Sequence, residues 1–251
     1  MIDIHTHLMP GVDDGARTVE ASLQVLERFA RSGVTTVVCT PHLLATDAEA
    51  LDTGGYDEAF GLLVAAAPSV PALERGWEIM LDAPGVDLHD PRLGLAGSRS
   101  VLVEFPRMNV PAGATAELRR IANGGLIPVL AHPERYWGCT PQRIDEWRAA
   151  GAVIQMDAAM LLGNGPVGKL ARVMLERGQV DVIASDNHGD VRSLGAARRW
   201  LEEMGAEEQT SLLTRANAER LLASERPLPV PPMPRLTSGV LGRLKSLLLG
   251  K

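Results

Sequence analysis

Met1-Ile2-Asp3-Ile4-His5-Thr6-His7 opens the 251-residue chain as a short apolar run that ends in two histidines. Alternate residues of an extended strand project to the same side, so His5 and His7 can converge on one metal ion. The opening therefore predicts a buried strand with metal ligands at its end.

The same design recurs in five later segments, each a short apolar run followed by a residue that can bind a metal. These runs are 34–39 before His42, 101–103 before Glu104, 127–131 before His132, 153–156 before Asp157, and 182–185 before Asp186 and His188. Runs of this kind are typical of buried parallel strands, and barrel enzymes place their chemistry at the carboxyl ends of such strands. The candidate ligands are therefore predicted to meet in space although they are scattered in sequence.

The intervals between the strands have helical patterns, so strand and helix alternate along the chain. The predicted helices are 18–31, 57–66, 115–123, 141–150, 167–178 and 194–204. Residues 43–55, beside His42, are polar and contain glycine, which predicts a mobile loop that covers the site. A barrel is favoured over a doubly wound sheet because ligands arrive from nearly every strand.

The composition predicts one catalytic domain with a tail. Residues 1–223 form the predicted domain, 224–235 a proline-rich linker, and 236–251 a short basic amphipathic helix. Such a helix suits contact with a membrane surface or a partner, and packing on its own domain or on a neighbouring subunit is an equal alternative.

Charge, cysteine content and hydropathy restrict the possible partners and location. The net charge of -6 argues against nucleic acid as a partner. Two cysteines outside any C-x-x-C pair favour a reducing compartment. The chain begins with no secretory pattern and has no apolar run near the roughly 18 residues that span a bilayer. We therefore expect a cytoplasmic protein, and membrane contact through the tail helix would be at the inner face of the membrane.

The candidate metal ligands all offer nitrogen or oxygen, and none is a thiolate. They are His5, His7, Asp14, His42, Glu78, Glu104, His132, Asp186 and His188. Such a set suits catalytic zinc, manganese or iron, and its size suits two or three ions. A single histidine at a strand end is more often structural, but H-x-H combined with D-x-H favours metal binding. Asp14 also fits an ordinary turn, and Glu78 lacks a clear strand around it.

Two arginines follow candidate ligands closely enough to contact a phosphate. Arg135 comes three residues after His132, and Arg192 comes four residues after His188. A guanidinium offers a planar fork to phosphate oxygens, although most arginines form solvent-facing salt bridges. The Cys-x5-Arg loop of cysteine phosphatases is missing, because Ala45 and Asp145 occupy the positions where arginine would follow Cys39 and Cys139.

These motifs resemble the polymerase-and-histidinol-phosphatase (PHP) superfamily over about residues 1–223. Within it they resemble the bacterial manganese-dependent protein-tyrosine phosphatases of capsular and exopolysaccharide loci. The motifs are Asp3-Ile4-His5-Thr6-His7, Val12-Asp13-Asp14-Gly15, Thr40-Pro41-His42, Glu104-Phe105, His132-Pro133-Glu134-Arg135 and Ala184-Ser185-Asp186-Asn187-His188. The resemblance implies a distorted (β/α)7 barrel, similar to a TIM barrel, with a metal site at the carboxyl ends of its strands.

The resemblance also implies three sets of ligands. One ion would be held by His5, His7, Glu78 and Asp186, a second by Glu78, Glu104 and His132, and a third by Asp14, His42 and His188. Arg135 and Arg192 would bind the phosphate. Asp157 stands where the family has asparagine, and residues 86–99 match loosely.

The resulting hypothesis is metal-assisted hydrolysis of a phosphate monoester, in which a metal-held water or Asp186 transfers the proton. By resemblance the substrate is phosphotyrosine on the autophosphorylated kinase that controls polysaccharide synthesis and export, and the ion is Mn²⁺. The alternatives are a small-molecule phosphatase such as a histidinol phosphatase, a metal-dependent amidohydrolase, or a non-catalytic regulatory protein with a metal scaffold. No strand end offers the lysine that amidohydrolase sites commonly use.

Overall fold

Parallel strands alternating with helices form the architecture, in a computed structural model that describes residues 1–233. The strands are β1 Ile2–Thr6, β2 Thr36–Cys39, β3 His42–Leu44, β4 Ala72–Arg75, β5 Glu78–Met80, β6 Ser100–Glu104, β7 Ile127–Ala131, β8 Val153–Asp157 and β9 Val182–Ala184. The α-helices are α1 Val19–Arg31, α2 Gly54–Ala66, α3 Ala114–Asn123, α4 Pro141–Ala149, α5 Ala158–Leu162, α6 Pro166–Glu176, α7 Leu194–Glu203, α8 Glu207–Ser211 and α9 Asn217–Leu222.

Hydrogen bonding divides the strands into two sheets. One has the order β1-β2-β4, and the other has the order β3-β5-β6-β7-β8-β9. Every pairing between these strands is parallel. Parallel strands have their carboxyl ends at the same edge of a sheet, so this arrangement brings the predicted ligands together. The predicted α/β fold of parallel strands is confirmed.

The two sheets are joined at two junctions, one between β2 and β3 and between β4 and β5, the other between β1 and the segment after β9. Two residues separate β2 from β3, and two separate β4 from β5, so each pair follows one path. At the other junction the Asp186 N–H donates to the His5 carbonyl at 3.0 Å, and the His7 N–H donates to the Asn187 carbonyl at 2.8 Å. The strand positions thus follow one another in chain order from β1 to β9.

Local sequence explains where several helices begin. Thr18 precedes α1, and its hydroxyl accepts from the Ala21 N–H at 3.2 Å. Thr140 precedes α4 in the same way, accepting from the Arg143 N–H at 3.3 Å, with proline as the first helical residue. These side chains satisfy N–H groups that the first helical turn leaves without partners.

Residues 43–55, predicted as a mobile loop over the site, contain regular secondary structure. They include most of β3, a 3-10 helix over Ala45–Ala50 and the start of α2. β3 is only three residues long, too short for a clear strand pattern, and its order comes from pairing with β5. Strand pairing of this kind is decided by a distant partner and not by local composition.

Part of the segment predicted as a linker lies against the domain. Val230 and Met233 are buried, and the Met233 N–H donates to the Leu175 carbonyl at 3.1 Å. The Leu228 N–H donates to Oδ1 of Asn217 at 2.8 Å. The predicted tail helix, 236–251, lies outside the described residues. Within residues 1–233, no helix has the length and apolar character needed to cross a membrane.

Candidate metal centre

The predicted ligands meet at the carboxyl ends of the strands. His5 and His7 are fully buried at the end of β1, and the other candidates surround them. A cavity of about 610 Å³ opens over them. Its lining includes Asp14, His42, Glu78, Glu104, His132, Arg135, Asp186, His188 and Arg192.

Glu78, the ligand with the weakest context in the sequence, lies at the centre of the cluster. Its Oε2 is 3.2 Å from Nε2 of His5 and 3.3 Å from Nε2 of His7. The same oxygen is 3.1 Å from Nδ1 of His42, and Oε1 is 2.8 Å from Nε2 of His132. The carboxylate is 1% exposed, so its position is set by these imidazoles and not by solvent. Its strand, β5, is held between β3 and β6.

Within residues 1–233, three groups of donor atoms are compact enough to hold an ion, with the atoms of each group within 4.8 Å of one another. They are His5, His7, Glu78 and Asp186; His42, Glu78 and Glu104; and His7, Asp14, His42 and His188. The first group has the same members as one predicted ligand set. His42 belongs to both of the other groups, and His7 belongs to the first and the third. His132 is in none of them, but its Nε2 is 2.8 Å from Oε1 of Glu78 and 3.9 Å from Oε2 of Glu104. The assignment of individual ligands to individual ions remains a prediction.

The electrostatics of the cluster fit bound cations. Burial and the neighbouring Glu78 carboxylate raise the pKa of Glu104 to about 7. Two carboxylates packed together disfavour ionisation of one another, and a divalent cation between them removes that penalty. In addition, Nδ1 of His132 is buried without a hydrogen-bond partner. Nitrogen and oxygen donors of this kind suit manganese, zinc or iron.

Two polar side chains behind the cluster orient the first histidines. Oε1 of Gln155 is 3.0 Å from Nδ1 of His5, and Oδ2 of Asp13 is 2.7 Å from Nδ1 of His7. A proton on each Nδ1 leaves Nε2 free to bind a metal, which is the usual role of such partners. The role of Gln155 was not predicted from the sequence. The available signal was a polar residue inside the buried apolar run of β8.

Backbone strain is found at two of the candidate ligands. His132 has φ of 33° and Asp186 has φ of 48°, both in the left-handed region. Residues other than glycine rarely adopt this region, and such strain is typical of functional sites. The turns that follow β7 and β9 thus hold these two side chains in unusual orientations.

The two predicted phosphate-binding arginines converge on one carboxylate oxygen. Nη1 of Arg192 is 3.0 Å from Oδ2 of Asp186, and Nη1 of Arg135 contacts the same oxygen. Arg135 also lies 3.4 Å from Oδ2 of Asp157. Burial raises the pKa of Asp157 to about 6, and its backbone N–H donates to Glu134 at 2.8 Å. Asp157 thus lies beside Arg135, at the edge of the cluster.

Neither cysteine is suited to act as a nucleophile. Burial raises the pKa of both Cys39 and Cys139 to about 12, so both remain thiols near neutral pH. The thiolate is the reactive form of cysteine. Cys39 lies in the core, and neither residue lines the metal cavity.

A variant that lacks both thiols is therefore expected to keep its hydrolytic activity. We predict that Cys39→Ala combined with Cys139→Ser changes kcat/KM for an aryl phosphate by less than about threefold, because the cavity is unaltered. Phosphate release and metal content, compared with the parent protein, check this. Loss of activity with unchanged folding and metal content would contradict it.

Metal-dependent hydrolases combine parallel strands with histidine and carboxylate ligands at the strand ends, and the fold and cavity place the chain in that class. The chain belongs to the capsular polysaccharide synthesis CpsB/CapC family, which it matches over residues 1–223.

Curated relatives and a solved structure agree with this membership. The tyrosine-protein phosphatase YwqE of Bacillus subtilis is 28% identical over 255 residues, covering 93% of this chain and 96% of the relative. The tyrosine-protein phosphatase CpsB of Streptococcus pneumoniae is 30% identical over 203 residues, covering 75% of this chain and 83% of the relative. A crystal structure from the work on YwqE and CpsB, described as metal-dependent tyrosine phosphatases, superposes with a TM-score of 0.76. It is 27% identical and covers 94% of this chain and 100% of that one.

Proposed function

We propose that the chain is a metal-dependent protein-tyrosine phosphatase. The observation that carries the proposal is the convergence of histidines, carboxylates and two arginines in one cavity. The relatives named tyrosine-protein phosphatases support the choice of phosphotyrosine.

The proposed ion is Mn²⁺, bound at two or three positions. The proposed ligands are the nine residues predicted from the sequence, which are His5, His7, Asp14, His42, Glu78, Glu104, His132, Asp186 and His188. When bound, the ions would supply Lewis acidity toward the phosphoryl oxygens and lower the pKa of a water molecule. The donor atoms suit zinc and iron as well as manganese.

The remaining functional side chains would bind and orient the phosphate ester. Arg135 and Arg192 present planar cationic groups that match the charge and geometry of phosphoryl oxygens. Leu44, Tyr56 and Met80 also line the cavity and offer apolar surface on which the phenyl ring can pack.

Asp186 is proposed as a metal ligand that also positions both arginines. Burial opposes its ionisation, but positive charge beside it, from His5 and His7 without metal and from the cation when one is bound, lowers its pKa far below the usual range. A carboxylate with so low a pKa is a weak proton acceptor. This favours ligation and positioning over proton transfer as the role of Asp186.

The proposed substrate is a phosphorylated tyrosine kinase that controls capsular or exopolysaccharide synthesis and export. The support is membership of a capsular polysaccharide synthesis family together with relatives named tyrosine phosphatases. We propose that the enzyme acts on the cytoplasmic side of the membrane, with residues 236–251 contacting its inner face.

Removal and return of metal test the proposed activity directly. Metal-stripped protein is expected to release no phosphate from a phosphotyrosine peptide above background, and Mn²⁺ is expected to restore turnover, because the arginines alone cannot activate water. Phosphate release over a Mn²⁺ titration is the measurement, and Zn²⁺ and Mg²⁺ give the metal preference.

The matched control is the His5→Ala, His188→Ala double variant under the same titration, which is expected to stay inactive. Full activity of the stripped protein would contradict metal dependence. Turnover of histidinol phosphate but not of the peptide would show a small-molecule phosphatase, and inactivity with every metal would favour a regulatory role.

A further inference from the structure

Two loops shape both the metal cavity and a second hollow beside it. Residues 105–110 follow β6, and residues 132–139 follow β7. Arg107 and Arg135 from these loops line the metal cavity, whereas Met108 and Trp137 line a neighbouring hollow of about 160 Å³. The Trp137 N–H donates to the Arg107 carbonyl at 2.8 Å, so the two loops are fixed to one another. Neighbouring residues of the same two loops therefore line the two hollows.

Large apolar side chains that do not pack in the core are exposed at this hollow. Trp137 is 76% exposed and Met108 is 75% exposed, whereas Trp77 and Trp147 are buried in the core. Exposed aromatic and methionine side chains beside a functional cavity are typical of binding surfaces.

Two arginines accompany these apolar side chains. Arg107 is exposed and lines the metal cavity. Arg143 lines the hollow, with its guanidinium 5.5 Å from the centre of the Trp147 ring. A surface that combines apolar side chains with two cations complements a chain segment that has apolar and acidic residues.

We propose that Arg107, Met108, Trp137 and Arg143, named here the peptide ledge, bind the residues that flank phosphotyrosine in a peptide substrate. The inference rests on the proposed function and adds its substrate class: a peptide with apolar and acidic side chains beside the phosphorylated residue. A ligand that enters the metal cavity and extends onto the ledge must carry both a phosphoryl group and an extended chain. A phosphopeptide has both, whereas a small phosphate ester fills the cavity alone.

The ledge predicts a selective loss of peptide turnover. We expect Met108→Ala combined with Trp137→Ala to lower kcat/KM about tenfold, mainly through KM, for a short phosphotyrosine peptide with leucine and glutamate flanks. Turnover of p-nitrophenyl phosphate, which cannot reach the ledge, is expected to stay within about twofold of the parent protein. A double variant with Trp137→Phe in place of Trp137→Ala should turn over the peptide faster than the double alanine variant, because a phenyl ring keeps most of the apolar contact.

The matched control is Leu62→Ala, which removes an exposed apolar side chain on α2 outside both hollows. It is expected to leave kcat/KM for both substrates unchanged. If kcat/KM of the double variant falls equally for both substrates, or falls for neither, the peptide-ledge proposal is wrong. A shift of oligomeric state in the double variant, measured by light scattering, with unchanged peptide turnover would mean that the surface pairs two copies of the chain. If the parent protein hydrolyses p-nitrophenyl phosphate but no phosphotyrosine peptide, the proposed function fails instead.

Discussion

Replacing Glu78 by glutamine is expected to lower kcat/KM for a phosphotyrosine peptide about a thousandfold and to reduce the bound metal. Glu78 contributes to two of the three groups of donor atoms and contacts four histidines. Glutamine is nearly the same size but has no charge with which to neutralise two cations. A thousandfold loss corresponds to about 4 kcal/mol of transition-state stabilisation, within the range that metal ions supply.

The measurement combines phosphate release over a Mn²⁺ titration with metal content after desalting. Glu117→Gln is the matched control, because Glu117 is a buried glutamate in α3 that pairs with Arg120 at 2.7 Å, away from the cavity. We expect the control to keep its activity and metal. A Glu78→Gln protein with the kcat/KM and metal content of the parent would show that Glu78 is not a central ligand.

Replacing Arg135 by lysine is expected to lower kcat/KM about a hundredfold while leaving metal content unchanged. Lysine keeps the positive charge but lacks the planar fork that can bind two phosphoryl oxygens. Removal of one positioned donor from a site that stabilises developing charge costs about 10²–10³ in rate. Because Arg135 and Arg192 share Oδ2 of Asp186, the Arg135→Lys, Arg192→Lys double variant should lose less than the product of the single losses.

Steady-state kinetics and inhibition by inorganic phosphate measure this effect. Arg148→Lys is the control, because Arg148 is a partly buried arginine that pairs with Asp181 at 3.1 Å outside the metal cavity. Unchanged kinetics in the Arg135→Lys variant would remove Arg135 from the phosphate site. A loss of metal together with activity would mean that it supports the ligands and does not bind substrate.

The strands with clear local patterns were predicted closely. The run before His5 forms β1, that before His132 forms β7, and that before Asp186 forms β9. Each combines apolar side chains with β-branched residues, which suit a strand buried on both faces. The predicted starts of two helices, residues 18 and 141, lie within one residue of the observed starts of α1 and α4, because Thr18 and Thr140 act on their own neighbours.

The segments that escaped prediction depend on distant partners. Glu78 lies in β5, which is three residues long and has order only between β3 and β6. The hydrogen bond from Gln155 to His5 joins residues 150 positions apart. No local pattern encodes such contacts.

The sequence by itself determined the class of fold and the kinds of atoms at the site, because strand ends and their ligands are properties of short segments. Only the tertiary structure decided which of these atoms lie together. It put Glu78 between His5, His7, His42 and His132, and it directed Arg135 and Arg192 to a single oxygen of Asp186. The physical reason is that parallel pairing sets the register of strands far apart in the chain, and a ligand's neighbours follow from that register.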